Sequence, residues 1–178
     1  YRFIGWPTEF VSIQAGFLPA TCTTDDDCGG DPFICGDTGT CRILTIFTSK
    51  MSLIATGEDS TALTINAPVD VEIADSSGAS TIYPASQGFE LNLTQGDVLT
   101  LSTTEVDEAD LSGMTVTSDK KVAVFSTNTC AMVPHGTFAC DHIEQQLFPS
   151  PTWGKEYVAA KFKPRGTEPD FWRIVANA

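Results

Sequence analysis

Two cysteines and two histidines in the second half of the chain have the spacing best suited to chemistry. Cys130, His135, Cys140 and His142 lie within thirteen residues. Two thiolates and two imidazoles are a ligand set that zinc accepts in a tetrahedral site. In an oxidising compartment the same two thiols would instead form a disulfide that closes a short loop. The disulfide is the favoured interpretation, and a metal site is the alternative.

The neighbouring pair Asp141 and His142 suggests an oriented base, because a carboxylate beside an imidazole holds the ring for proton transfer. A hydrolase would also need a nucleophile in a recognisable setting, and the sequence contains no Gly-x-Ser-x-Gly. Cys130 or Cys140 could serve as nucleophile only if its thiol were free. We therefore predict that Asp141, His142 and Gln145 form a buried polar network without a catalytic role. A hydrolase-like enzyme stays open as an alternative.

The other four cysteines form a cluster near the N-terminus. Their spacing is C-x5-C-x6-C-x5-C, from Cys22 through Cys28 and Cys35 to Cys41. Structural zinc sites usually contain close C-x2-4-C pairs, which this cluster lacks. An even count and tight spacing predict a disulfide framework and a secreted or cell-surface protein. Four cysteines permit three pairings, and the spacing does not choose among them.

Aspartates accompany these cysteines, and clustered carboxylates can bind calcium. Asp25, Asp27 and Asp31 are the candidate ligands of a weak site. The pattern does not fit an EF-hand loop, because its third ligand and its closing glutamate are missing. A solvated acidic turn is the favoured interpretation, so no metal and no cofactor are predicted.

Charge excludes two classes of partner. The chain of 178 residues has 10 Lys plus Arg against 23 Asp plus Glu, a formal charge of −13. Residues 153–178 carry five bases and three acids, which leaves −15 on residues 1–152. Nucleic acid and anionic membrane surfaces would repel such a chain. No apolar run approaches the roughly 18 residues of a membrane helix, so direct membrane insertion is not expected.

The elements that must position these residues are strands. After the cysteine cluster, β-branched residues alternate with polar ones, and Gly, Asn, Asp and Pro interrupt at short intervals. This pattern predicts an all-β fold, an antiparallel β-sandwich of jelly-roll or immunoglobulin-like type with a small disulfide-rich N-terminal insert. The candidate strands are 43–48, 51–56, 62–66, 70–74, 88–93, 98–102, 114–117, 122–126, 156–162 and 171–176.

The same features divide the chain into four parts. Residues 1–20 are expected to form an N-terminal strand segment, and residues 21–42 a disulfide-knotted insert too short for a core of its own. Residues 43–152 form the sandwich domain. Two prolines interrupt regular structure just before residues 153–178, which are expected to begin a following β unit that the chain leaves truncated.

Four motifs in the second half resemble one known family. They are VTSDKKVAVFS at 116–126, CAxVP at 130–134, ACDHIxQQL at 139–147 and WGKEYV at 153–158. With these motifs the chain resembles the IgGFc-binding protein N-terminal domain family, as a bacterial-type extracellular member with an added cysteine-rich insert. The resemblance implies an extracellular, β-rich module without enzyme activity, and it gives the Cys130–Cys140 pairing. No local motif for Fc binding is present, so that ligand is not carried over.

These observations predict a non-catalytic binding or structural module of a secreted or cell-surface protein, used in adhesion or extracellular assembly. The expected partners are a protein or glycan ligand on a surface, or copies of the chain itself. A truncated sandwich would expose a strand edge, and such edges pair readily with other chains. A filament subunit assembled by strand complementation is therefore the first alternative.

Overall fold

The computed structural model describes residues 9–14, 21–28, 33–35, 39, 41–104, 109–133, 140–164, 166–167 and 169–176. These residues form β-strands and two 3-10 turns, at Asp25–Cys28 and Ser150–Thr152. The strands are β1 (Glu9–Gln14), β2 (Phe33–Cys35), β3 (Cys41–Phe47), β4 (Ser49–Ala55), β5 (Thr61–Asn66), β6 (Val71–Ala74), β7 (Ser80–Tyr83), β8 (Phe89–Leu93), β9 (Val98–Thr103), β10 (Thr115–Ser118), β11 (Val122–Met132) and β12 (Cys140–Gln146).

Two antiparallel sheets enclose the main core. One has six strands in the order β12-β11-β4-β9-β6-β7, and the other has three in the order β10-β5-β8. The chain passes repeatedly from one sheet to the other, except in the pairs β6–β7 and β11–β12, which both stay in the six-stranded sheet. The predicted all-β sandwich is confirmed.

Alternation along the strands builds this core. In β5, Leu63 and Ile65 are buried while Thr64 between them is exposed. Met51 and Leu53 of β4 are buried in the facing sheet. Successive side chains of a strand point to opposite faces, which is why every second residue reaches the core. The buried core residues are Met51, Leu53, Ala55, Leu63, Ile65, Ala67, Val71, Leu93, Leu101, Leu111, Met114, Val116, Val122 and Val124.

The turn between β8 and β9 is formed by a carboxylate and a glycine. Asp97 accepts hydrogen bonds from the backbone N–H and the hydroxyl of Thr94, at 2.7 and 2.6 Å. Gly96 has a φ of 88°, a value that glycine adopts without the steric cost of a side chain. The turn returns the chain to the six-stranded sheet, where β9 pairs with β4.

A third sheet precedes the sandwich and carries the disulfide-rich insert. Its order is β1-β3-β2, with β3 pairing antiparallel to both neighbours. Disulfides join Cys22 to Cys35 and Cys28 to Cys41, an interleaved pairing among the three that the spacing allowed. Cys28 and Cys41 are almost fully buried, so sulfur takes the place of an apolar core in this small unit.

Two strands that the sequence pattern did not indicate lie at opposite edges of the six-stranded sheet. They are β7 and β12. Side chains at Ser80–Thr81–Ile82 and along most of β12 are exposed. An edge strand that packs little against a core loses the alternation by which strands are recognised in a sequence.

The two strands predicted at 156–162 and 171–176 are not formed. The described residues of 153–176 have no strand or helix, and Val158 and Ile174 are 94% and 84% exposed. Alternating residues favour a strand only where a neighbouring strand completes its hydrogen bonds. In the described residues no sheet includes these segments.

Truncation of a core leucine should show how much the buried core of the sandwich contributes to the stability of the chain. Leu101 is fully buried in β9, whereas Val98 of the same strand is 61% exposed. We expect Leu101→Ala to lower the free energy of unfolding by about 2–5 kcal/mol through lost burial and a residual cavity. Val98→Ala should change it by no more than about 0.5 kcal/mol. Denaturant titration measures both, and equal effects would contradict this arrangement of the core.

Candidate functional site

The hairpin of β11 and β12 is the candidate functional site, because it contains a disulfide and its second strand lies at the edge of the six-stranded sheet. The strands pair from Phe125↔Gln146 to Met132↔Cys140, with a register shift between Asn128 and Ala131. The Cys130–Cys140 disulfide spans this irregular stretch, with its Cα atoms 4.9 Å apart. The bond therefore fixes the end of the hairpin next to the loop.

Asn128 anchors the hairpin from inside the sheet. Its side chain is fully buried; its Oδ1 accepts the N–H of Cys130 at 2.9 Å, and its Nδ2 donates to the carbonyl of Phe47 at 3.5 Å. A buried amide is tolerated where its polar atoms find partners. Asn128 was not singled out from the sequence. The available signal was an amide residue inside a β-branched run, two positions before a cysteine.

The polar residues predicted to form a buried network lie in the open instead. Asp141, His142 and Gln145 are all exposed on β12. Asp141 Oδ1 accepts the backbone N–H of His142 at 2.8 Å, while the His142 ring contacts Glu144 at 3.4 Å. The Gln145 amide donates to the carbonyl of Gln146. The prediction of a buried network is therefore wrong, because β12 is an edge strand open to solvent.

The predicted alternative of a zinc site lacks the two thiolate ligands that it needs. Cys130 and Cys140 are bonded to each other, and His135 lies outside the described residues. The one cluster of possible metal-ligating groups in the described part of the chain is Cys22, Cys28 and Cys41. Their sulfurs are also in disulfides, and a disulfide sulfur is not the thiolate that zinc requires.

Two of the three candidate calcium ligands serve the insert itself. Asp25 Oδ1 accepts the N–H of Cys35 at 2.7 Å. Asp27 Oδ2 accepts the N–H groups of Thr23 and Thr24 at 2.8 and 2.9 Å, and also the Thr23 hydroxyl. Asp31 lies outside the described residues. These contacts do not require calcium, and the solvated acidic turn stays the favoured interpretation of this cluster.

The Asp27 carboxylate is held in its charged form by these donors. Hydrogen bonds from the backbone of Thr23, then the backbone of Thr24 and the Thr23 hydroxyl, lower the pKa of Asp27 from 3.8 to about 2. Donors aimed at a carboxylate favour its ionised state over the protonated one. This carboxylate is therefore charged at any pH outside strong acid.

The C-terminal segment, residues 153–176, presents apolar side chains to solvent. Tyr157 is 76% exposed and Phe162 is 68% exposed. Among its described contacts, the Trp153 indole donates to the carbonyl of Phe148 at 3.1 Å, and the Arg173 guanidinium donates to the Asp110 carboxylate. These contacts tie the segment to the rest of the chain while its apolar side chains stay in solvent.

Comparison with known proteins agrees with the motifs of this hairpin. The family model described as IgGFc binding protein matches residues 42–178, more than three quarters of the chain. The chain belongs to the IgGFc-binding protein family. A human IgGFc-binding protein is 38% identical over 76 residues, which cover 43% of this chain and 1% of the human protein. The chain thus spans a very small part of that relative's length. No solved structure matches it.

The match to the IgGFc-binding protein family covers the sandwich and the hairpin but not the whole disulfide-rich insert. Cys22, Cys28 and Cys35 precede the matched residues, as does Cys41 by one position. The Cys130–Cys140 disulfide, β12 and the C-terminal segment all lie inside them. A helix with the length and apolar character needed to cross a bilayer does not occur in the described part of the chain.

Loss of the Asn128 side chain should loosen the hairpin. Asn128→Ala leaves the N–H of Cys130 and the carbonyl of Phe47 without these partners, which should lower the free energy of unfolding by about 1–3 kcal/mol. Asn92→Ala, at an exposed position of β8, is the control and should change the free energy of unfolding by at most about 0.5 kcal/mol. Thermal or denaturant unfolding of the oxidised chain provides the measurement. An Asn128→Ala chain as stable as the control would show that the amide does not anchor the hairpin.

The insert should lose its Asp27 contacts only in strong acid. The pKa is lowered in the folded chain, so the stabilisation is complete above about pH 4 and is lost as the pH falls through about 2. An NMR titration of the Asp27 carboxyl carbon should give a midpoint near 2, with the amides of Thr23 and Thr24 shifting together with it. Asp27→Asn should abolish those amide shifts. A midpoint at 3.8 would contradict the hydrogen-bonded geometry.

Proposed function

We propose that the chain is a non-catalytic protein-binding module that works outside the cell, in a secreted or surface-anchored protein used for adhesion or extracellular assembly. The observation that carries this proposal is membership of the IgGFc-binding protein family over residues 42–178. The names of the family and of the human relative describe binding to a protein, the Fc portion of IgG.

The disulfides support an extracellular site of action. All six cysteines of the chain are paired, in three disulfides. Disulfides persist in oxidising compartments, whereas the glutathione and thioredoxin systems of the cytosol reduce them. The covalent bonds brace both the insert and the hairpin, so a binding surface displayed outside the cell would keep its shape.

The shape of the candidate site supports binding to a protein. β12 has β11 on one side, and within the described residues it has no strand on the other. An open strand edge offers backbone donors and acceptors to an incoming extended segment. The exposed apolar residues of the C-terminal segment add a second contact surface. A net charge of −13 supports a protein or glycan partner over a nucleic acid.

The enzyme alternative has weaker support. A hydrolase built on this segment would need a nucleophile beside the His142 base. The Cys130 and Cys140 sulfurs are bonded to each other, so neither is a free thiol. Asp141, the expected orienting group, contacts the backbone of His142, and the ring contacts Glu144.

We also propose that the chain divides into the insert at 21–42, the sandwich at 43–152 and a distinct unit from 153 onward. β3 (Cys41–Phe47) crosses the boundary between the first two.

Binding of an Fc fragment tests the proposed function, since the human relative's name supplies that probe. The oxidised chain should bind immobilised IgG Fc saturably in surface plasmon resonance, with the Fab fragment as the control. Reduction and alkylation of the disulfides should abolish binding, because the insert and hairpin lose their covalent bracing. The opposite outcome is no saturable Fc binding together with a hydrolytic activity that His142→Ala removes. That result would replace the module with an enzyme.

A further inference from the structure

β12 offers an edge that is long enough to receive another strand. It has seven residues, and its outer side has no neighbouring strand within the part of the chain that is described. Unpaired N–H and C=O groups along such an edge are a template for pairing with an extended segment. Its side chains give the edge a charge, because Asp141 and Glu144 are both exposed there.

A second segment of the same chain has the properties of a strand without a partner. We call residues 156–163 the donor segment. All of its side chains are exposed and its backbone belongs to no strand or helix. In an extended conformation Val158, Ala160 and Phe162 would lie on one face with Glu156, and Lys161 and Lys163 on the other with Tyr157 and Ala159. The first face is mostly apolar and is left in solvent.

The charges of the two elements are complementary. The donor segment has two lysines, Lys161 and Lys163, against one acid, Glu156. β12 has two carboxylates and no lysine or arginine. In a chain of net charge −13, two copies repel each other overall, so contact between them needs a basic element that faces an acidic one. The donor segment supplies that basic element.

Contacts at both ends hold the C-terminal segment in an arrangement in which the donor segment is not paired with β12 of its own copy. After β12 the chain turns at Ser150–Thr152, and the Trp153 indole is fastened to the carbonyl of Phe148. Further along, Arg173 is paired with Asp110. With these contacts in place the donor segment stays outside the sheets of its own copy. The edge of a second copy is not restrained by them.

We propose that the donor segment of one copy pairs as an added strand with the outer edge of β12 in a second copy. Different surfaces of the two copies meet in this contact, so each copy retains one unused donor segment and one unused edge. A contact of this kind that does not close into a ring continues as an open chain of subunits. The inference rests on the proposed binding function and names a second copy of the chain as its partner.

Sedimentation velocity of the oxidised chain tests this contact. The sedimentation coefficient should rise reversibly with concentration and pass beyond that of a dimer. Lys161→Glu and Glu144→Lys should each raise the dissociation constant by about tenfold or more, because each places like charges together. The double variant Lys161→Glu/Glu144→Lys should restore association, since it exchanges the two charges. Lys121→Glu, an exposed residue with the same change in charge, is the control and should associate like the parent chain.

A second pair of variants tests the backbone pairing itself. Val158→Pro removes an N–H and should abolish association, because a strand cannot form a full ladder through proline. Val158→Thr keeps the N–H and the branched side chain and should preserve it. Val158 is 94% exposed, so neither change removes a core contact, and circular dichroism should show unaltered folding.

The outcomes separate this inference from the proposed function. A chain that stays monomeric at every concentration while it binds Fc would overturn the second copy as partner and leave the binding function standing. Association that survives Val158→Pro, or that the charge exchange does not restore, would also overturn the pairing. A chain that neither associates nor binds Fc would remove both proposals.

Discussion

Backbone hydrogen bonding at the sheet edges is the constraint on which the rest of this structure depends. A sheet has two outer strands whose N–H and C=O groups need partners or water. The six-stranded sheet ends in β7 and β12, and both are exposed. β12 carries carboxylates, and its pairing with β11 has a register shift. Charged side chains and irregular pairing make an edge less open to indiscriminate pairing.

The core and the disulfides divide the stabilisation of the chain between them. The sandwich buries leucine, isoleucine, valine and methionine side chains from two sheets, and for these the hydrophobic effect suffices. The insert is too small for that, and its buried cluster consists of Cys22, Cys28 and Cys41. The hairpin is held by the buried side chain of Asn128 in β11 and by the Cys130–Cys140 bond at its irregular end. The candidate site is therefore cross-linked although it lies at an edge.

The sequence predicted those strands in which buried residues alternate with more exposed ones. β4, β5 and β9 have apolar residues at every second position and were predicted within two residues of their ends. β12 could not be found in this way, because Cys-Asp-His-Ile-Glu-Gln-Gln lies at an edge where little packing acts on its pattern.

The donor segment shows the reverse case. It has the pattern of a strand, yet a pattern forms no strand without a neighbour to complete its hydrogen bonds. For the site, the family resemblance predicted the Cys130–Cys140 pairing. The hairpin and the exposure of His142 follow from the position of β12 in the sheet, which spacing does not reveal.

Amide hydrogen exchange measured at low and high protein concentration tests most directly whether the free edge is a site of assembly. In dilute solution the amides of the donor segment should exchange rapidly, apart from that of Phe162, which donates to the Asp170 carboxylate. The amides of β12 that point away from β11 should also exchange rapidly. At high concentration both sets should become protected together, with no change at exposed turns such as Asp75–Gly78. Rapid exchange of the donor segment and of the outer β12 amides at every concentration would contradict the account.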